Sequence, residues 1–380
     1  MRNASDEKLL VARAYLSAVA EPPAPALVGF VDEHGPVRAA ELVSQGDVPA
    51  PVAREVEARR EHVSGAAALA AARAAGARLV VPEHAEWPHE RFACFSEASA
   101  VGIAGMAEPL ALWARGHVPA VGLVERSVAI VGARAASGYG EHVAAELGHG
   151  LASGGFTVIS GAAYGIDGAA HRGALAADRT TVAFLACGVD IDYPAGHGRL
   201  LRAIAEQGVV LSEYPLGTAP RKHRFLVRNR LIAASGQGTV VVEAGARSGA
   251  SNTANGADSL GRPVMAVPGP VTSATSVGCH DMIRSGQAVL VTKPDEIIEV
   301  ISPLGTAASA DVVGQSRSTD VLDEHAKRVH DALSERQAVS AEQLALDSGL
   351  PLRKVRAVLP ALEMQGWVVR AEQGWARRGG

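Results

Sequence analysis

From about residue 76 the chain alternates short apolar, β-branched runs with helical segments. SVAIVG is followed by YGEHVAAELGHGLA, FTVISG by DGAAHRGALAA, and TVAFLACG by GRLLRAIAEQG. VVLSEY then leads into RFLVRNRLIAAS, TVVVEAG into SNTANGADSLG, PVMAVPG into the segment around CHDMIRSG, and AVLVT into DEIIEVIS. Near-continuous apolar runs mark strands buried on both faces, and parallel strands need crossover helices between them. The pattern predicts an α/β fold, an extended Rossmann-like, doubly wound parallel sheet spanning residues 76–302. Residues 1–75 read differently, as short helices (EKLLVARAYLSAV, VAREVEARR) broken by EPPAPA and QGDVPAP, a small N-terminal helical module with no recognisable chemical group. Residues 303–320 (PLGTAASADVVGQSRSTD) are small, polar and aperiodic, which predicts a linker. In residues 321–380, HAKRVHDALSE, SAEQLALDSGL (N-capped by Ser340) and PLRKVRAVLPALEMQGW predict three helices, and WVVRAEQGWARR a hairpin, the order of a C-terminal winged helix.

Composition narrows the function classes. The 380 residues are 48% hydrophobic and 20% charged with a formal net charge of −4, which excludes a largely disordered chain and confines any basic surface to a local patch. The three cysteines, Cys94, Cys187 and Cys279, are too far apart for a disulfide framework or a CxxC zinc site, and their usage suits a cytoplasmic protein. The N-terminus lacks a signal-peptide pattern, and no apolar run of about 18 residues predicts a membrane span. GARAASGYG is not GxGxxG, and no GxxxxGK[ST] occurs, so neither a dinucleotide cofactor nor P-loop ATP hydrolysis is expected. No cofactor and no metal are expected.

Ligands of an open parallel sheet bind outside the carboxyl ends of its strands. Here those loops are glycine-rich: Gly132 to Gly140, Ser160-Gly161 to Gly165, Cys187-Gly188, Gly245 to Gly249 and Pro268 to Pro270. Glycine admits a ligand close to the backbone, and the helix N-termini that follow offer N–H groups to anions, so phosphate is the expected guest. Arg134 stands in the first loop beside the Ser137 and Gly138 backbone, placed for such an anion. RKHRFLVRNR, residues 221–230, is the most polarised stretch, with Arg221, Lys222, Arg224, Arg228 and Arg230 and no acidic residue. Lys222 and Arg224 are expected to bind phosphate. For Arg228 and Arg230 two roles stand: phosphate ligands, or partners of Glu213 or Glu243 in a structural ion network. Phe225 also has two, a base-stacking face or the start of an apolar helix face with Leu226 and Leu231. Asp167 is read as an N-cap and His171 as a hydrogen-bonded structural histidine. Glu213 and Glu243 end strands, and two carboxylates at such a cleft keep acid/base hydrolysis of a nucleotide open.

SGAAYGIDGAAHRGAL, CGVDIDYPAGHGRL, SEYPLGTAPRKHRFLVRNRLIA, VVEAGARSGASNTANGA and GRPVMAVPGP, in this order and spacing after IVGARAASGYG, resemble the successive signature blocks of the DNA-processing protein DprA (Smf) family. The resemblance covers about residues 75–300, and the C-terminal unit is similar to an accessory domain that many members carry. It implies a non-enzymatic, dimeric Rossmann-like protein that binds and protects single-stranded DNA and loads the RecA recombinase, chiefly in natural transformation. The family's phosphate-contacting arginine falls on Arg134, with Ser137 beside it. Its basic residue before the FPxRNR block falls on Lys222 or Arg224, and the block's Arg-Asn-Arg on Arg228, Asn229 and Arg230. The full expected site is Arg134, Ser137, Gly138, Ser160, Gly161, Lys222, Arg224, Phe225, Arg228, Asn229 and Arg230. Departures from the family pattern are Leu226 for the usual Pro, His197 for the Asn after the YP motif, Asn252 at an apolar position, and EWPHERF as a loose echo of the YPxxL strand. With roughly four to six phosphates neutralised per protomer, the salt slope for single strands is expected near −3 to −4. Two rivals remain at this point: a nucleotide N-glycoside hydrolase on the same fold, and a duplex-DNA regulator working through Arg353, Lys354 and Arg356 of the winged helix.

Overall fold

The computed structural model describes residues 4–246, 248–302, 322–334, 337–371 and 374–377; the expected linker at 303–320 lies outside them. Five helices come first: α1 (Ala4–Val19), α2 (Pro25–His34), α3 (Pro36–Gln45), α4 (Ala50–Val56) and α5 (Gly65–Ala74). Then follow β1 (Ala77–Val80), α6 (His89–Ala100), β2 (Leu112–Arg115), α7 (Ala120–Glu125), β3 (Ser127–Val131), α8 (Gly138–Ser153), β4 (Thr157–Ser160), α9 (Ile166–Ala176) and β5 (Thr181–Phe184). The succession continues through α10 (Gly198–Gln207), β6 (Val209–Ser212), α11 (Lys222–Ser235), β7 (Thr239–Val241), α12 (Gly249–Ser259), β8 (Val264–Ala266), α13 (Val277–Arg284), β9 (Val289–Leu290) and α14 (Pro294–Ile301).

The strands form one nine-stranded sheet in the order β1-β2-β6-β5-β4-β3-β7-β8-β9. Every pair from β6 to β9 is parallel, as the apolar runs predict. The sheet is nevertheless mixed: β2 pairs antiparallel with β6, and β1 antiparallel with β2, adding an edge that the strand pattern did not announce. EWPHERF is not a strand; Glu86 to Pro88 lie in a turn and His89 opens α6.

Alternation along each strand divides the core. Ala129 and Val131 pack with Phe92, Leu231 and Ala254 on one face, while Val128 and Ile130 pack with Leu147, Leu151 and Ala170 on the other. Many small residues serve close helix packing: a Cβ at Gly148 would overlap the Ala170 carbonyl, and one at Gly173 the Ala145 carbonyl, so α8 and α9 lie backbone to backbone. The helical module has its own core of Leu16, Leu27, Phe30 and Val43. Leu10, Ala14 and Leu69 of α1 and α5 pack into another with Leu79, Trp113 and Val210, which fixes the module to the sheet.

The elements up to α14 form one compact unit and the later ones a second. The second holds α15 (Glu324–Asp331), α16 (Ala341–Ser348), α17 (Leu352–Met364), β10 (Val368–Ala371) and β11 (Gly374–Arg377). Val329, Leu344, Val355, Leu359 and Val368 form its core, β10 and β11 pair antiparallel, and Val339 adds a bridge to Trp375. This is a winged helix, with Ser340 capping α16 by accepting from the Gln343 N–H at 3.2 Å. Among the described residues no helix is long and apolar enough to cross a membrane.

Candidate nucleic-acid interface

Strand β3 is the switch point: β4, β5 and β6 lie to one side of it and β7, β8 and β9 to the other. The loops leaving β3 and β7 diverge there, which opens a crevice at the carboxyl rim. It is a cleft of about 390 Å³ whose lining includes Gly132, Arg134, Phe225, Arg228, Ser248 and Gly249. Two helices point their N-termini toward this rim. Ser137 caps α8, accepting from the Gly140 N–H at 3.1 Å, and Ser248 caps α12, accepting from the Ser251 N–H at 3.3 Å.

Arg134 is exposed and makes no ion pair among the described residues; its guanidinium lies 4.6 Å above the Phe225 ring. Tyr193 extends the aromatic surface, 5.4 Å from Phe225 and 37% exposed. Phe225 is therefore half-buried on the rim rather than in the core, and Leu226 beside it is 54% exposed; only Leu231 continues inward. Lys222 opens α11, exposed and without an ionic partner among the described residues, and Arg221 just before it stands likewise. Gly138 is exposed with open space on its Cβ side.

The remaining expected residues are committed within the fold. Arg224 is 7% exposed, donates to Glu21 through Nε (2.7 Å) and Nη2 (3.0 Å), and lies over Tyr214; it is not the free cation expected from the sequence. Glu21 reaches it from the turn between α1 and α2 and also accepts from Arg59 and from His223. Burial opposes ionisation of Glu21, but the hydrogen bonds from Arg224, Arg59 and His223 prevail and bring its pKa down to about 2. Arg230 and Glu213 form a buried bidentate pair at 2.6 and 2.7 Å, which realises the structural alternative for that arginine.

Arg228 has no carboxylate partner among the described residues; it is 4% exposed at the floor of the cleft and donates to the Gly161 carbonyl at 2.9 Å and to the Phe184 carbonyl. Burial pulls its pKa down to about 10, an effect that Asp167 partly offsets. Gly161 is the slot for that guanidinium, since a Cβ there would overlap it, and its N–H donates to Asp167 at 3.1 Å. Asp167 is thus a brace to the β4 loop, while Gly165 holds the N-cap position of α9. Ser160 is fully buried and donates to the Ile130 carbonyl at 2.6 Å, so its hydroxyl does not reach the rim. Asn229 donates to Asn252 Oδ1 at 3.2 Å and to the Gly249 carbonyl at 3.3 Å, tying α11 to α12.

Both carboxylates singled out for hydrolysis are likewise occupied. Glu213 is held by Arg230, and Glu243 accepts from the Ser137 N–H (2.9 Å), the Ser137 hydroxyl (2.6 Å) and the Thr275 hydroxyl (2.9 Å). Ser137 thereby fixes the first loop rather than facing the cleft with a free hydroxyl. His171 is buried, its Nδ1 donating to Thr181 Oγ1 at 2.7 Å, because that hydroxyl itself donates to the Val158 carbonyl. Sequence reasoning missed Glu21, which carries no local signal, and Tyr193, visible only as part of CGVDIDYPAGHG.

The pattern that defines the DNA recombination-mediator protein A family matches residues 78–302, and that of the DprA winged helix domain matches residues 314–374. The chain belongs to the DprA (Smf) family. It is 48% identical over 362 residues to a putative DNA processing protein DprA of Mycobacterium tuberculosis, covering 95% of this chain and 92% of that one. It is 36% identical over 272 residues to protein Smf of Escherichia coli K12, covering 71% and 72%. The crystal structure of DprA from Streptococcus pneumoniae superposes with a TM-score of 0.62 at 28% identity, over 77% of this chain and 97% of that one.

The departures from the DprA pattern find local explanations. Asn252 at its apolar position is the acceptor of Asn229. His197 is buried, its Nδ1 3.0 Å from the Ala162 carbonyl and its ring edge-on to Tyr164 at 4.8 Å. Leu226, replacing proline, leaves α11 starting at Lys222 and puts an apolar side chain on the cleft.

Proposed function

We propose that the rim cleft binds single-stranded DNA by its phosphates, without catalysis, and that the chain acts as a homodimer that protects the strand and delivers it to a RecA-type recombinase. The observation that carries this reading is Arg134. It is an exposed cation with no carboxylate partner among the described residues, laid on Phe225 in an open cleft that faces two helix N-termini. Lys222 and Arg221 continue the unpaired charge, and Phe225 with Tyr193 offers the aromatic face on which unstacked bases rest regardless of sequence. Side-chain donors able to read base edges are scarce, because Arg228, Asn229, Arg230 and Ser160 are spent inside the fold. Pairing of two copies is supported by the open edge strand β9, where Val289 and Leu290 are 51% and 47% exposed.

The test is direct binding of labelled oligo-dT against its duplex, in the full chain and in Arg134→Ala and Phe225→Leu. Single-strand preference is expected, with about a tenfold loss in each variant: Phe225→Leu removes base–aromatic stacking of about 1–3 kcal/mol, and Arg134→Ala removes a phosphate contact. Equal affinity for duplex and single strand, or variants that bind like the parent, would sink the assignment. Recombinase delivery is read separately, as faster filament formation on strands already coated with the protein.

A further inference from the structure

Unpaired positive charge at the rim does not end at the switch-point cleft. On the other flank of the first turn of α11 a second cavity of about 490 Å³ opens, between the helical module and the sheet. Its lining includes Arg59, His62 and Ser64 from the module, with Tyr214, Arg221 and Arg224 from the rim. No carboxylate lines it among the described residues. Glu21 bonds Arg59 and Arg224 without itself lining the cavity, so the local network keeps a surplus of positive charge, with Arg221 making no ion pair among the described residues.

A second, independent feature points to a ligand. Tyr214 is 1% exposed, yet its hydroxyl has no hydrogen-bond partner among the described residues, which is a costly state for a buried polar group. The N-terminus of α5 also borders the cavity, capped by Ser64, which accepts from the Ala67 N–H at 3.3 Å. The first N–H groups of a helix lack partners within it and favour an anion. Arg224 lines this cavity and Phe225, the next residue, lines the first cleft, so the two adjoin across the first turn of α11.

We propose that this cavity is a second phosphate-binding segment of the strand path: a single strand leaving the first cleft over Lys222 passes Arg221 and is held against the helical module by Arg221, His62 and the start of α5. The module is then part of the DNA-binding surface rather than a packing appendage. The inference rests on the single-strand reading above. Charge complementarity favours a phosphodiester backbone as occupant, since the cavity is cationic, open and continuous with the basic turn of α11.

The experiment compares oligo-dT of about 6 and about 18 nucleotides, one short enough to occupy a single cleft and one long enough to run through both. The full chain, Arg221→Ala/His62→Ala and Arg134→Ala are each titrated across a salt series. Arg221 and His62 are exposed, so the double substitution leaves folding intact, which a thermal melt checks. The double variant is expected to weaken the longer strand about three- to tenfold, to make its salt slope shallower by about 1, and to lose less on the shorter strand. Unchanged binding of the longer strand, or an equal loss on both lengths, overturns the extended path. If Arg134→Ala still weakens both strands in that case, the first cleft stands; if it weakens neither, the single-strand reading itself falls. Thymidine 5′-monophosphate is the remaining arm. Its tight binding, lost in the double variant while the longer strand binds normally, would assign the cavity to a small nucleotide and overturn the proposal.

Discussion

Arg230→Ala tests whether the Arg-Asn-Arg block serves the fold or the proposed strand binding. Arg230 and Glu213 have side chains only 3% and 5% exposed and meet in a bidentate contact at 2.6 and 2.7 Å. Arg230 Nε also donates to the Ala107 carbonyl at 3.0 Å, and its guanidinium lies 5.5 Å from the Phe95 ring. Removing the arginine leaves a carboxylate buried without compensation, a change that costs about 3–5 kcal/mol. Total stabilities run to about 5–15 kcal/mol, so the loss is a large fraction, equivalent to roughly 10 °C in Tm for a unit of this size. Urea unfolding followed by circular dichroism reads it directly. Glu213→Leu/Arg230→Met is expected to be less destabilised than either single change, because it removes both charges while keeping apolar volume. The variant protein that remains folded should bind oligo-dT normally below its unfolding transition. A stable Arg230→Ala protein that had lost strand binding would refute the structural assignment and restore Arg230 as a phosphate ligand.

Other consequences are equally concrete. Gly161→Ala inserts a methyl into the slot of the Arg228 guanidinium and should lower stability by about 1–3 kcal/mol, measured as a shift in urea midpoint. Burial lowers the pKa of His171 to about 3, so the unfolded chain binds the extra proton between pH 6.5 and 3. This contribution to stability is fully present above pH 6.5 and declines as pH falls, by up to about 1.4 kcal/mol per unit; His171→Gln should flatten the dependence in that window. A chain ending at residue 302 should keep the oligo-dT affinity and salt dependence of the full chain, since none of the rim residues lies in the winged helix; filter binding of the two proteins side by side checks this.

The parallel strands were legible because burial on both faces makes each a continuous apolar run: Val128 to Val131 and Val240 to Val242 each supply both cores. The antiparallel pair β1 and β2 escaped because each is four residues long and carries an arginine, Arg78 or Arg115, that takes an acidic partner near the sheet edge. The exposed place of Arg134 on the rim was readable from its glycine-rich loop after a strand. The basic block was not readable residue by residue, since its composition does not say which carboxylate each cation meets. Arg230 pairs with Glu213 a short way upstream, but Arg224 pairs with Glu21, 203 residues away in the connection between α1 and α2, which has no motif of its own. Ser160 and Gly161 misled for a related reason: a glycine-rich loop can admit a ligand or the protein's own guanidinium, and here it admits Arg228.

These commitments also lower the expected electrostatic footprint. Of the rim cations, Arg134, Arg221 and Lys222 make no ion pair among the described residues, and each neutralised phosphate contributes about −0.7 to the slope of log K against log salt on a single strand. Labelled oligo-dT titrated across a salt series should therefore give a slope near −2 per protomer, shallower than the basic block alone suggests. Arg134→Ala/Lys222→Ala should bring it to about −1 with a parallel loss of affinity. Strand binding that ignored salt, or a double variant with the parental slope, would contradict the phosphate cleft.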